Sequence, residues 1–421
     1  MSESLTERRR RLLGPNVPTF YEKPVHIVRG EGVWLWDADG RKYLDCYNNV
    51  PHVGHCHPRV VEAIARQAAI LNTHTRYLHE GILDYVEALT RKLGQGLSQA
   101  IMVCTGSEAN DIALRMAQAM TGKSGIIATD NTYHGNTSAV SQLSTRRPPI
   151  GGRAGHVRLV PAPDSVHPVG GSIERQAEAF ALNVGRAIVE LEESGFGFSG
   201  MMLCPVFANE GLPALPKNFL EPTLGVIRRA RGLVLCDEVQ PGFGRVGSHW
   251  WGHQLMGFTP DVVTLGKPMG NGHPVAAVVT RPDVMETFRE SFGYFNTFGG
   301  NPVSAAAAMA VLQVIDEEGL VQNAKEVGAY LLKGLKQLKH PLIAEARGTG
   351  LFFGVEFMKG DVPAGEFTGR VVEAMREEGV LLNRLGRHGN VLKLRPPMPF
   401  SRANADFALH ALQRVLKATP V

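Results

Sequence analysis

Leu233-Val234-Leu235-Cys236-Asp237-Glu238-Val239-Gln240 is an aliphatic run that stops on a carboxylate. Asp261-Val262-Val263-Thr264-Leu265-Gly266-Lys267-Pro268-Met269-Gly270-Asn271-Gly272 repeats the design and stops on a lysine, 30 residues after Asp237. Each run enters a loop rich in glycine, proline or both. Short aliphatic and β-branched runs that end this way read as buried parallel strands, each presenting one polar side chain at its carboxyl end.

Working outward, residues 57–69, 81–93 and 107–120 carry apolar positions at helical spacing. Strand-like runs occur at 100–104, 125–129, 156–161, 200–204, 232–236, 262–265 and 275–280. The alternation predicts an α/β fold with a mostly parallel sheet covered by helices on both faces. Ligands of such sheets sit outside the carboxyl ends of the strands, where Asp237 and Lys267 are placed. Residues 25–45 read as a β-hairpin turning at Asp39-Gly40. Residues 347–355 and 391–394 are strand candidates in the last hundred residues. The predicted organisation is a large domain over 61–310, and a smaller α+β domain built from 1–60 and 311–421.

A carboxylate and an amine delivered to one sheet edge suit pyridoxal 5′-phosphate (PLP). The lysine can hold the aldehyde as a Schiff base, and the aspartate can keep the pyridine nitrogen protonated. A lysine near its usual pKa of about 10.4 is a poor nucleophile at neutral pH; burial beside a cationic ring lowers its proton affinity. Thr105-Gly106-Ser107-Glu108-Ala109-Asn110 joins a strand to a helix whose first free N–H groups can hold a phosphate, although the segment alone is also an ordinary N-cap. Tyr133-His134-Gly135 can lay a ring against a flat cofactor. Asn296-Thr297-Phe298-Gly299-Gly300-Asn301-Pro302 can offer a hydroxyl and backbone donors, and is also a plain helix start.

The bulk composition excludes other classes. The chain has 421 residues, a formal net charge of +4 and 44% hydrophobic residues, with 47 glycines and 26 prolines. Charge this small gives no reason to propose nucleic acid binding, and Arg8 to Arg11 read as a solvated helix face. Five cysteines without paired spacing, and no apolar leader, lead to the expectation of a reducing, cytoplasmic setting. The most apolar stretch, residues 304–315, is too short to span a bilayer, which takes roughly 18–20 residues, and reads as a core helix. No Gly-x-Gly-x-x-Gly opens a helix after the first strand, so a dinucleotide module is not supported.

Taken together, Gly54-His55-Cys56-His57-Pro58, Gly106-Ser107-Glu108-Ala109-Asn110, Tyr133-His134-Gly135, Asp237-Glu238-Val239-Gln240, Gly242-Phe243-Gly244-Arg245, Gly266-Lys267 and Thr297-Phe298-Gly299-Gly300-Asn301-Pro302 resemble the class III (ω-type) aminotransferases of PLP fold type I. The resemblance runs from about Gly30 to about Pro399. It implies that Lys267 forms the imine with the cofactor and moves the proton, and that Asp237 pairs with the pyridine nitrogen. Gln240 lies near the ring hydroxyl, Tyr133 stacks on the ring beside His134, and Gly106 and Ser107 hold the phosphate. Thr297 is supplied by the other chain of a homodimer with shared active sites. His55 and His57 match a structural turn of the family, so no metal is assigned.

Three segments, at 47–58, 266–274 and 390–398, are similar to the ethanolamine-phosphate phospho-lyases and the alanine–glyoxylate-type enzymes. Substrate contacts are expected from Asn48, Arg76, Lys393 and Arg395, with Arg146 and Arg147 as further anion-binding candidates. Many family transaminases carry arginine where this chain has Lys393. Lysine is a point charge and lacks the two-pronged grip on a carboxylate. Cys204-Pro205-Val206-Phe207-Ala208-Asn209-Glu210-Gly211 also departs from the family, which usually carries a glutamate in this segment ahead of a variable loop; Glu210 is a candidate stand-in. The leading expectation is amino transfer from an amine or amino acid to a keto or aldehyde acceptor. The alternative is a phospho-lyase acting on O-phosphoethanolamine or a similar phosphorylated amine.

Overall fold

The computed structural model describes residues 3–94, 96–146 and 149–421. Near the N-terminus, β1 (Ile27–Glu31), β2 (Trp34–Asp37) and β3 (Lys42–Asp45) form an antiparallel meander. Its second turn falls at Asp39-Gly40, where Gly40 takes a φ of 82° and the Asp37 carboxylate accepts the N–H groups of Asp39 and Arg41 at 3.1 and 2.9 Å.

The seven runs singled out in the sequence form one sheet. They are β4 (Gln99–Val103), β5 (Gly125–Thr129), β6 (Val157–Val160), β7 (Phe198–Leu203), β8 (Leu233–Asp237), β9 (Val262–Leu265) and β10 (Ala276–Thr280). The strand order is β4-β10-β9-β8-β7-β5-β6. All pairings are parallel except those of β10, which runs antiparallel to both β4 and β9. β5, β7, β8, β9 and β10 are buried at every position, as a sheet covered on both faces requires. Residues 304–315 lie within the helix Pro302–Glu317, which packs on the helix Pro58–Ala68.

The C-terminal part adds β11 (Ile343–Thr349), β12 (Phe352–Lys359), β13 (Val362–Pro363), β14 (Val380–Leu381), β15 (Asn383–Leu385) and β16 (Val391–Leu394). The single strand expected at 347–355 is two strands, β11 and β12, reversed at Gly350. Gly350 has a φ of 51°, and a Cβ there would lie 2.0 Å from the carbonyl oxygen of Arg245, so only glycine fits. β14 pairs parallel with β3, which joins the N-terminal meander and the C-terminal chain in one sheet. Arg245 ties these parts together from the buried interior. Its guanidinium donates to the carbonyls of Leu351 and Pro396 at 2.9 and 2.8 Å and contacts His52 Nδ1 at 3.1 Å. Among the described residues no helix is long and apolar enough to cross a membrane.

Candidate active site

Because β4, β7, β8 and β9 point the same way, their carboxyl ends deliver side chains to a single rim. A cavity of about 300 Å³ opens there, lined by Gly106, Ser107, Tyr133, His134, Asp237, Gln240 and Lys267, together with Cys204, Asn209 and Val239. Seven of the eight residues expected to bind cofactor therefore meet in one place, from segments up to 161 positions apart.

Asp237 is held from behind. His134 Nδ1 lies 2.7 Å from Oδ2, Asn110 Nδ2 donates to the same oxygen at 3.1 Å, and the Val239 N–H donates to Oδ1 at 3.0 Å. Asn110 is itself fixed, donating to the His134 carbonyl at 2.6 Å and accepting from Thr264 Oγ1 at 2.6 Å. Asn110 was part of a quoted motif but carried no expected role. Its signal is positional: it falls four residues after Gly106, one helical turn in, on the face turned to the sheet. Next to Asp237, the buried Glu238 accepts from the backbone N–H groups of Gly252 and His253 at 2.9 and 2.7 Å, and contacts His253 Nδ1 at 2.9 Å. Cys236 completes a buried Cys-Glu-His group whose carboxylate is already engaged by the backbone.

Lys267 lines the cavity and its side chain is solvent-accessible there, while the protein packed around the chamber makes its surroundings buried. That burial, followed by the charge of Arg395, lowers its pKa, with Asp237 and Cys204 acting in the opposite sense.

The phosphate cradle is the N-terminus of the helix Gly106–Thr121. Thr105 caps it, with Glu108 N–H donating to Thr105 Oγ1 at 3.2 Å and the Thr105 N–H to Glu108 Oε2 at 2.8 Å. The cap leaves the first-turn N–H groups of Gly106 and Ser107 for an anion. Gly135 closes over Ser107 so tightly that a Cβ would lie 2.6 Å from its Oγ. An anion cradle, a fixed carboxylate and an open lysine around one small cavity fit PLP.

Beside this chamber lies a second cavity of about 580 Å³, sharing Tyr133, Gly135 and Asn209 with the first. Lys393 lines it, and Arg395 stands behind Gln240. Both cations are buried, at 4% and 5% exposure, and both donate to Gln240 Oε1, Lys393 from 2.9 Å. Gln240, expected near the ring hydroxyl, thus gives its carbonyl oxygen to two cations. Among the described residues no carboxylate is within ion-pair distance of either cation. Burial, then the charges of Arg395, Lys267 and Arg146, push Lys393 well below its ordinary pKa. Burial likewise lowers Arg395 to about 10.

Other expectations land elsewhere. Asn48 lines neither cavity; its amide donates to Asp45 Oδ2 at 3.0 Å, and its neighbours Tyr47 and Val50 take the walls instead. Arg76 lies in a separate groove, 3.9 Å over the ring of Phe295, and Thr297 is exposed on the same side of the chain. Arg147 falls outside the described residues. Glu210 lines neither cavity, accepting from Thr129 Oγ1 at 2.6 Å, so it brings no charge to Lys393. His55 and His57 contact Asp45 and Glu318 at 2.7 and 3.0 Å.

This sheet, cradle, carboxylate and lysine define a PLP-dependent enzyme of fold type I. More narrowly, the chain belongs to the class III aminotransferase family, whose profile matches residues 18–416. It is 39% identical to the alanine–glyoxylate aminotransferase 2-like protein of Drosophila melanogaster, over 96% of this chain and 85% of that one. It is 34% identical to ethanolamine-phosphate phospho-lyase homolog 1 of Caenorhabditis elegans, over 98% and 93%. A phospholyase from Arthrobacter, solved in complex with phosphoethanolamine, superposes with a TM-score of 0.96 at 43% identity, covering 99% of this chain and all of that one.

Proposed function

We propose that this enzyme eliminates phosphate from a short phosphorylated primary amine of the O-phosphoethanolamine type. The observation that carries this reading is the buried pair Lys393 and Arg395, neither in an ion pair among the described residues, one cavity away from Lys267. Asp45 acts on Arg395 only from beyond ion-pair distance; buried cations so weakly compensated are costly to hold, and an anionic substrate group offsets that cost. The phospholyase likeness at 43% identity supports the same reading.

When bound, PLP supplies a carbonyl carbon for the amine and a ring that accepts electrons. Gly106 and Ser107 would hold its phosphate, and Asp237, locked by His134 and Asn110, would keep its ring nitrogen protonated. Lys267 Nζ takes the proton from the amine-bearing carbon. The electron pair so released forms a carbon–carbon double bond as the adjacent carbon–oxygen bond breaks. The departing phosphate keeps the bonding pair, and Lys393, backed by the charge of Arg395 behind Gln240, stabilises it. Addition of water to the unsaturated amine then gives acetaldehyde and ammonia.

Amino transfer, the leading expectation from the sequence, is the second reading, favoured by the likeness to the aminotransferase 2-like protein. It needs no site for a leaving phosphate and shares with elimination the first proton abstraction by Lys267. The two separate on incubation of the holoenzyme with O-phosphoethanolamine alone. Release of phosphate and ammonia in equal amounts over many turnovers is expected; conversion of PLP to its pyridoxamine form without phosphate release would overturn elimination.

We propose further that two chains associate. The groove holding Arg76 is about 800 Å³ and is flanked by exposed Tyr77, Leu78, Phe292, Phe295 and Phe298, a contiguous apolar patch of the kind that marks association. A second copy covering it brings Thr297 of one chain to the phosphate cradle of the other.

A further inference from the structure

We propose that Arg146 and Lys393 form a phosphomonoester-binding subsite in the second cavity, with Arg146 as its specificity-determining residue. The identity of the substrate rests on the elimination reading above. The preference for a doubly charged tetrahedral anion rests on the cavity itself.

The cavity adjoins the cofactor chamber, with Tyr133, Gly135 and Asn209 as shared walls, so a molecule whose amine is at Lys267 can extend toward it. Its lining contains Arg146, Arg384 and Lys393 and no aspartate or glutamate. Arg384 is engaged elsewhere, donating to the carbonyl of Gly365. Ser144 and Ser141 spend their hydroxyl protons on the carbonyls of Thr132 and Ser138, at 2.5 and 3.1 Å. Arg146 and Lys393 are the two lining cations for which no side-chain bond to a backbone carbonyl is found among the described residues. Lys393 is buried and fixed by Gln240. Arg146 is exposed at the mouth, near enough for its charge to act on Lys393, and no carboxylate among the described residues pairs with it.

Two repelling cations on one acid-free cavity are relieved by a ligand in proportion to its negative charge. A phosphomonoester carries close to two charges at neutral pH, and its oxygens can meet separate donors at once. A carboxylate carries one charge and is best held by a single two-pronged guanidinium, which Lys393 cannot provide and Arg146 alone offers only at the rim. The leaving phosphate passes the same guanidinium on its way out.

The test uses the holoenzyme, in which the cofactor's own phosphate already fills the Gly106–Ser107 cradle, and inorganic phosphate as the probe. Binding is followed by calorimetry in the wild type and in Arg146→Ala, Arg146→Lys and Lys393→Met, with retention of the PLP chromophore as the check on folding. The expected result is phosphate binding at least tenfold weaker in Arg146→Ala, partly rescued in Arg146→Lys, weakened again in Lys393→Met, and acetate binding poorly throughout. Unchanged phosphate affinity in Arg146→Ala with the chromophore intact overturns the subsite. Acetate binding as tightly as phosphate to the wild type overturns the anion preference. If Arg146→Ala loses phosphate but the wild type releases none from O-phosphoethanolamine, the subsite stands and elimination is what fails.

Discussion

His134 Nδ1 and Asp237 Oδ2 lie 2.7 Å apart in the interior of the sheet rim, with Asn110 on the same oxygen. The carboxylate is fixed on its far side, and among the described residues Oδ1 accepts only the Val239 N–H.

Electrostatic groups held in place before the reaction are worth most when they cannot reorient, commonly about 10²–10³ in rate for one such group. Asp237→Asn is therefore expected to lower turnover by about that factor while PLP remains bound. Asn110→Ala, which frees the carboxylate to rotate, is expected to lose less, about tenfold. Steady-state kinetics beside the cofactor-to-protein ratio checks both; full activity in Asp237→Asn would remove Asp237 from the mechanism.

Gly135→Ala tests the cradle. The residue has a φ of 146°, and an added Cβ would press on Ser107 Cα at 2.8 Å as well as on its Oγ. Neither backbone strain nor the clash is relieved by moving a flexible side-chain end. The variant is expected to bind PLP at least tenfold more weakly, measured by titrating apoenzyme, with a larger effect on cofactor affinity than on the KM for amine.

Lys393 sets a pH dependence. Its pKa in the free enzyme is held well down by burial and by Arg395, Lys267 and Arg146, whereas a bound anion raises it. Anion affinity is thus full below the depressed value and falls as pH rises through it, up to tenfold per unit until the bound-state value is reached. Methyl phosphate, fully ionised above about pH 7, is the suitable probe. Lys393→Arg keeps its charge throughout and is expected to flatten the profile.

Association is tested at Leu78, which is 101% exposed in the single chain. Leu78→Glu places a carboxylate on the apolar patch, and burying it unpaired costs several kcal/mol. Sedimentation is expected to show two chains in the wild type and one in the variant, with weaker PLP retention as Thr297 is withdrawn. An unchanged mass would place the contact elsewhere.

What the sequence disclosed best was the chemistry carried by strand ends. Asp237 and Lys267 follow aliphatic runs whose burial forces the polar residue to the rim, so the strands at 233–237 and 262–265 were legible with their cargo. Residues acting through others were not. Asn110 has only its position one helical turn after Gly106 as a hint, since its partner Asp237 lies 127 positions away, and no local pattern announces that Val239 faces the cavity. Asn48 misled because its polar side chain closes a turn on Asp45. Gln240 lines the cofactor cavity, and the two cations on its oxygen, Lys393 in β16 and Arg395 just after it, come from 153 and 155 residues away, which no local pattern shows. The split at Gly350 was hidden because the aliphatic pattern continues through the reversal.

β10 has a consequence for how the molecule is made. It wedges between β4, which leads into the phosphate cradle, and β9, which leads to Lys267, pairing Ala276 with Val103 and Ala277 with Leu265. Until the ribosome has released that strand, neither edge has its neighbour. Contacts so distant along the chain form slowly, and a nascent chain ending before it exposes two unsatisfied strand borders, the kind of surface that invites aggregation. The two strand ends that frame the cofactor chamber are therefore braced against one another only once β10, the last strand of that sheet in chain order, has joined them.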